Sequence, residues 1–254
     1  MTLSYPSLLL ASATVALRYG FAVAGPWFFA FNHWILAELV RLFPFTDWRM
    51  NLAQFFMFNR LVSGFVFAAA VYYFWSLRDE RREWRRARVL EAILACVAGV
   101  IFTLALRPFV GALPPSQTPE FQGLFPPYLW TSGEGNSFPS HSTLVYFVMS
   151  AGLWPVSRRI SAILCAWVLL AVSLPRVYIG GHYPTDVLAS VAIAIAFLWA
   201  AWRVGASRWG MRMLDRVVLG GAWLELAIFF WLFELGEGFR SAGEIVVWFV
   251  RKVS

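Results

Sequence analysis

The chain reads as an all-α protein, a polytopic membrane bundle of six or seven transmembrane helices, on three observations. Apolar residues make up 60% of its 254 positions and charged residues only 14%. Mean hydropathy is +0.64. The apolar residues are gathered into separated runs of membrane length, which excludes an ordinary soluble domain. Lipid offers no hydrogen bonds to a bare backbone, so runs of this kind must pair their peptide groups internally, as helices.

The elements follow in order. Met1-Thr-Leu-Ser-Tyr-Pro has no basic n-region, and no small-residue cleavage site follows the first apolar stretch, so no removable signal peptide is expected. Residues 8–17 are apolar but too short to span, and Arg18 interrupts them; they read as an interfacial lead-in or as the start of a longer, tilted first helix. Spanning segments are expected at 21–40, 61–77, 89–106, 144–156 with its flanks, 160–174, 187–204 and 217–233. Between the first two, Arg41, Arg49 and Arg60 stand against Asp47 among Phe43, Phe45, Trp48 and Phe55, the pattern of an amphipathic surface segment. Residues 244–252 have too few apolar positions to span. No internal repeat or linker divides the sequence, so residues 1–254 read as one integral-membrane domain with a motif-bearing core at about 89–204.

Charge sets the expected orientation. Residues 78–88 hold six arginines against Asp79, Glu80 and Glu83, which assigns that turn to the cytoplasm. Residues 108–141 contain Glu120 and Glu134 and no Lys or Arg, whereas Arg158 with Arg159, and then Arg203, Arg208, Arg212 and Arg216, mark later cytoplasmic turns. The 176–186 segment therefore falls on the outer face. The net charge of +7 lies between the apolar runs, where it meets lipid head groups, and no nucleic-acid partner is expected. Cys96 and Cys165 sit inside apolar runs, so neither a disulfide nor a zinc site is expected. Without a repeated half or paired broken helices, a transporter is disfavoured.

The chemistry gathers in Pro-Arg-Val-Tyr-Ile-Gly-Gly-His-Tyr-Pro-Thr-Asp, residues 175–186. Arg176, His182 and Asp186 put a cation, a candidate nucleophile and a carboxylate able to orient it at the rim of a bilayer, the set that phosphoryl chemistry through histidine requires. The threading brings two more pieces to that face: Arg107-Pro108 and Phe138-Pro139-Ser140-His141. Two of the three histidines in the chain, His141 and His182, thus share one side.

These pieces resemble the type 2 phosphatidic acid phosphatases (PAP2), whose signature is a lysine followed by Arg-Pro, then Pro-Ser-Gly-His, then Ser-Arg with His and Asp at set spacing. Arg176, His182 and Asp186 reproduce the third spacing, with Pro175 in place of the serine. Two departures stand out. Val100 occupies the lysine position, and the one lysine of the chain is Lys252; in the second motif the glycine is missing, so His141 follows Ser140 directly. One residue of offset on a helix turns a side chain by about 100°, which a loop before the helix would absorb.

The resemblance implies a lipid phosphate or diphosphate phosphatase with polyprenyl diphosphate as the first substrate guess, needing no metal and no cofactor. His182 would attack phosphorus, Asp186 would accept a hydrogen bond from its other ring nitrogen, and His141 would act as general acid. Arg107, Arg176 and Ser140 would hold the phosphate. The expected setting is a bacterial cytoplasmic membrane, with the site facing the exterior. A lipid phosphotransferase and a non-catalytic lipid-binding protein stay open as alternatives. Elsewhere, His33 and Glu38 read as interhelical packing, Glu225 as an intramembrane carboxylate whose partner the sequence does not name, and the aromatic residues Phe121, Phe125, Tyr128 and Trp130 as a lid or a wall where lipid enters.

Overall fold

The structure, a computed structural model, describes residues 26–106, 109–110, 112–129, 136–206 and 221–237. The described residues are helical, without a strand. In order they form α1 (Pro26–Leu42), α2 (Asp47–Phe58), α3 (Leu61–Ser76), α4 (Arg82–Leu106), α5 (His141–Gly152), α6 (Arg158–Tyr178), α7 (Pro184–Gly205) and α8 (Gly221–Glu237). Single helical turns at Pro115–Gln117, Pro119–Gln122 and Pro127–Leu129 shape the α4–α5 connection.

Among the described residues, α4, α6 and α7 are long and apolar enough to cross a membrane unaided. The α2–α3 pair, bent by 55° at Asn59, is a fourth candidate. Several apolar helices of spanning length make this an integral membrane protein, a layout compatible with the six or seven expected crossings. The expected lead-in at 8–17, the tail at 244–252 and residues 207–220 lie outside the described residues.

The heart of the bundle is α5, with α4 and α7 packed on it and on each other. Leu144, Val145, Val148 and Met149 are all buried, and Gly152 lies so close to Ala92 that no side chain fits between them. At 12 residues α5 is about 18 Å long, too short to cross alone. α3 and α8 close the other side, where Gly64 faces the backbone of Gly236. The Arg60–Glu237 ion pair joins the same two helices.

A second buried cluster caps one end. It takes Phe28, Phe29 and Leu36 from α1, Met50 and Ala53 from α2, Phe121 and Phe125 from the α4–α5 connection, and Tyr178 and Tyr183 from the α6–α7 corner. Phe121 and Phe125 are therefore packed inward. Tyr128 is exposed, and Trp130 lies outside the described residues. α2 is a short surface helix, capped by Thr46, that buries Met50 and Ala53 and exposes Trp48, Phe55 and Phe58.

The 176–186 segment is more helical than its sequence suggests. Residues 168–173 widen into a π turn, and the helix then continues through Pro175 and Arg176 to Tyr178. A proline ring normally collides with the carbonyl four residues earlier, and the wider turn makes room for it. Asp186 belongs to the first turn of α7, so only residues 179–183 connect the two helices. The matching π turn at Leu61–Phe65 packs against the first, and Trp167 Nε1 donates to the Val62 carbonyl (3.0 Å).

Candidate active site

Three stretches of chain meet where α5 and α7 begin and α6 ends, and small hydroxyl side chains join them. The Ser190 hydroxyl lies 2.7 Å from the Asp186 carbonyl, one turn back along α7, and 3.1 Å from the Ser140 carbonyl at the head of α5. Thr143 Oγ1 is 2.9 Å from Ser140 Oγ and 2.8 Å from Ser173 Oγ on α6. All five of these residues are buried. A buried polar group without a partner is costly, so the two links that cross between helices, Ser190 to Ser140 and Thr143 to Ser173, also fix the relative positions of α5, α6 and α7.

His182 is held across the same junction. Its Nδ1 lies 2.7 Å from the Ser137 carbonyl and 3.7 Å from Asp186 Oδ2, the second distance being too long for a hydrogen bond. A carbonyl oxygen can only accept, so Nδ1 carries the hydrogen and Nε2 of the neutral ring keeps its lone pair. Asp186 is fully buried; its Oδ2 accepts the Tyr183 N–H (2.8 Å), capping α7, and its Oδ1 has no hydrogen bond among the described residues. The carboxylate thus secures the backbone beside His182, while Ser137, which the sequence did not single out, orients the ring.

The other expected site residues are placed as follows. His141 is the first residue of α5 and is half-buried. Ser140 is its N-cap residue, fully enclosed, with its hydroxyl turned to Thr143. Arg176 is half-buried in the last turn of α6, where Nη1 donates to the Val172 carbonyl (2.6 Å). Arg107 lies outside the described residues. Val100 is packed against the core and offers no charge. On α5, Tyr146 donates to the Leu235 carbonyl (3.2 Å) and lies in the electrostatic range of both Arg176 and Arg60.

The cap is fastened to the corner that carries His182. Ser116 N–H donates to the Gly180 carbonyl (3.0 Å), and Thr118 Oγ1 pairs with Tyr183 OH (2.8 Å). Gly180 has φ +73°, a conformation that favours glycine, and a Cβ there would lie 2.9 Å from both Phe125 and Ser116. Phe121 meets Tyr183 edge to face (5.3 Å), and His33 meets Phe121 (5.9 Å), so His33 is a packing residue. From α1, Asn32 reaches Thr185 at the start of α7.

Thr143, Ser173 and Ser190 escape sequence reasoning because serine and threonine are common in apolar helices, and Ser137 because it acts through its carbonyl. Their one legible signal is spacing: Ser190 stands four residues after Asp186 and Thr143 three after Ser140, one helical turn in each case. Among the described residues no three His, Cys, Asp or Glu side chains group in a way that could hold a metal ion.

Residues 88–209 match the family model of the PAP2 superfamily, a span that includes α5, α6, α7 and α4 from Arg88 onward. No curated protein and no solved structure matches the chain.

Proposed function

Because this chain belongs, through residues 88–209, to the PAP2 superfamily and its phosphatase-type chemistry, we propose that it is an integral-membrane lipid phosphate or diphosphate phosphatase acting through a phosphohistidine. The observation that carries this reading is the 2.7 Å contact between His182 Nδ1 and the Ser137 carbonyl, which leaves Nε2 as a nucleophile.

In the proposed reaction, Nε2 of His182 attacks phosphorus, forming the P–N bond as the P–O bond to the leaving group breaks. His141 gives its proton to the departing oxygen. Water then attacks the phosphohistidine and returns a proton to His141, releasing phosphate and restoring His182. Arg176 and Arg107 hold the equatorial oxygens, and Ser140 with the N–H groups opening α5 completes the anion site. Arg176 is ready for this role because a phosphate would exchange one neutral carbonyl, Val172, for charged oxygens. Asp186 supports His182 through the Tyr183 peptide and as a second acceptor near Nδ1. Two arginines supply the charge that a metal ion supplies in other phosphoryl-transfer enzymes, so the reaction proceeds without metal or cofactor.

Polyprenyl diphosphate is the first substrate class, followed by phospholipid phosphates and lipid A phosphates. The proposed setting is a bacterial cytoplasmic membrane with the site facing outward, supported by the arginines at the α3–α4 turn, opposite the end where α5 and α7 begin. Excluding water from the phosphohistidine would make the same site a phosphotransferase. Val100 favours one further reading, a lipid-binding protein without turnover, since one phosphate-binding cation is absent.

Phosphate release by detergent-purified protein from polyprenyl diphosphate, phosphatidic acid, phosphatidylglycerol phosphate and lipid A tests the proposal. Release is expected to survive a chelator and to vanish in His182→Ala. Acid-labile, base-stable phosphate on the wild-type protein is the covalent signature. Release that persists in His182→Ala would sink the mechanism, and no release from any lipid would favour the binding protein or the transferase.

A further inference from the structure

We propose that Asn32 of α1, outside the residues matched to the family, is a positioning residue for the reaction: it holds the first turn of α7, and through it the backbone on which His182 and Asp186 are set. This rests on the reading of His182 as nucleophile.

Asn32 is fully buried and bridges two elements. Its Nδ2 donates to the Phe28 carbonyl (2.9 Å) on its own helix and lies 3.0 Å from Thr185 Oγ1. Its Oδ1 accepts the Thr185 N–H (3.2 Å) and lies 3.2 Å from Thr185 Oγ1. The amide has one consistent orientation, because the Phe28 carbonyl can only accept and the Thr185 N–H can only donate.

The bond to Thr185 N–H does the work of a helix cap. The first N–H groups of any helix have no acceptor within it, and a side-chain oxygen usually serves. Tyr183, the N-cap residue of α7, makes no side-chain cap for its own helix start. The task is divided instead: Asp186 takes the Tyr183 N–H, and Asn32 takes the Thr185 N–H from another helix. Phe28, one turn before Asn32, packs on the Tyr183 ring (5.8 Å), so α1 grips this turn by side chain and backbone together. Among the described residues Asn32 bonds only to Phe28 and Thr185, and it leaves the reacting phosphate to other residues. Its loss would therefore shift His182 relative to the Ser137 carbonyl and leave substrate binding intact.

The test uses the full chain in detergent, with dioctanoyl phosphatidic acid and farnesyl diphosphate as probes and rates normalised to folded protein. Asn32→Leu is expected to lower kcat about tenfold to a hundredfold, the cost of a small misplacement of a reacting group, with KM changed less than about twofold. Asn32→Asp, which is buried as the neutral acid and can still accept from Thr185 N–H and donate to Phe28, should recover most of that loss. Asn32→Ser keeps a donor for the Phe28 carbonyl but is too short to reach the Thr185 N–H, and should lower kcat by a similar factor; it decides the matter if Asn32→Leu does not fold, since a wild-type kcat in it would then overturn the proposal. Wild-type kcat in folded Asn32→Leu, or a rise in KM alone, overturns it as well. With His182→Ala inactive, either result removes only the role of Asn32. An active His182→Ala, or no release by the wild-type chain from either probe, removes the nucleophile reading and this proposal together.

Discussion

A single backbone oxygen decides how the His182 ring is presented. The Ser137 carbonyl can be satisfied only by a hydrogen on Nδ1, whereas a carboxylate in the same place would also attract a proton onto the ring. Gly180 governs the same corner from the other side, since its carbonyl holds Ser116 and its missing side chain lets Phe125 approach. Gly180→Ala should cost about 1–3 kcal/mol through its left-handed backbone, and the crowding adds to that. Thermal melts in detergent would register the loss together with reduced phosphate release, and an unchanged melting temperature would refute it. At this scale the nearness of His182 and Asp186 was legible from their spacing of four residues, and both stood out as candidates because charged and titratable groups are rare beside membrane segments. Ser137 was not legible, because it acts through its backbone, which any residue could supply.

At the scale of elements, polar side chains do the fastening that hydrophobic burial cannot do between lipid-solvated helices. Glu225, which the sequence left without a partner, accepts from Trp75 Nε1 (2.7 Å) and Arg86 Nη2 (2.6 Å), and Arg86 lies over the Trp75 ring (4.4 Å). This joins α3, α4 and α8. The Arg86 side chain is only 9% exposed although Glu225 is 47% exposed, so Glu225→Leu would leave the cation with just the Trp75 carbonyl and ring among these partners, at a cost of about 1–3 kcal/mol. Combining it with Arg86→Met should restore much of the stability; a double variant no better than the single one would show that the pair does not hold the helices.

The α3–α4 turn is tied in the same way, by Arg85 donating twice to Asp79 (2.6 and 2.7 Å) and once to the Leu77 carbonyl (3.0 Å). The hydrogen bond from Arg85 holds the Asp79 carboxyl below its ordinary value. A carboxyl of lowered pKa binds its proton less readily folded than unfolded, so its stabilisation is complete above about pH 4 and is lost as pH falls through the lowered value. Asp79→Asn should flatten that acid-side loss in melts between about pH 2 and 5, and an unchanged pH profile would rule the pair out. Helix positions were readable from apolar runs to about a turn, except that α4 begins at Arg82, seven residues before the expected 89, because its first two turns are built of charged residues. The π turns and the helical placement of Arg176 were not, since they arise where two helices and a proline share space.

For the whole molecule, fold class and bundle architecture followed from composition, because no other structure satisfies the backbone of such runs in lipid. Orientation can be tested where the chain tolerates a probe. Thr118 is unsuited, being buried against Tyr183. Gly123 is better, because a side chain there meets nothing within 4 Å. With Cys165 replaced by serine, Gly123→Cys should react with an impermeant maleimide from outside intact cells, and labelling only after lysis would invert the topology.

The bridge from Asn32 to Thr185 spans 153 residues of sequence. At a synthesis rate of about 5–20 residues per second, Asn32 emerges about 8–30 seconds before its partner. During that interval its amide must borrow partners within the membrane. The helix Pro26–Leu42 is thus made well before the turn that seats it.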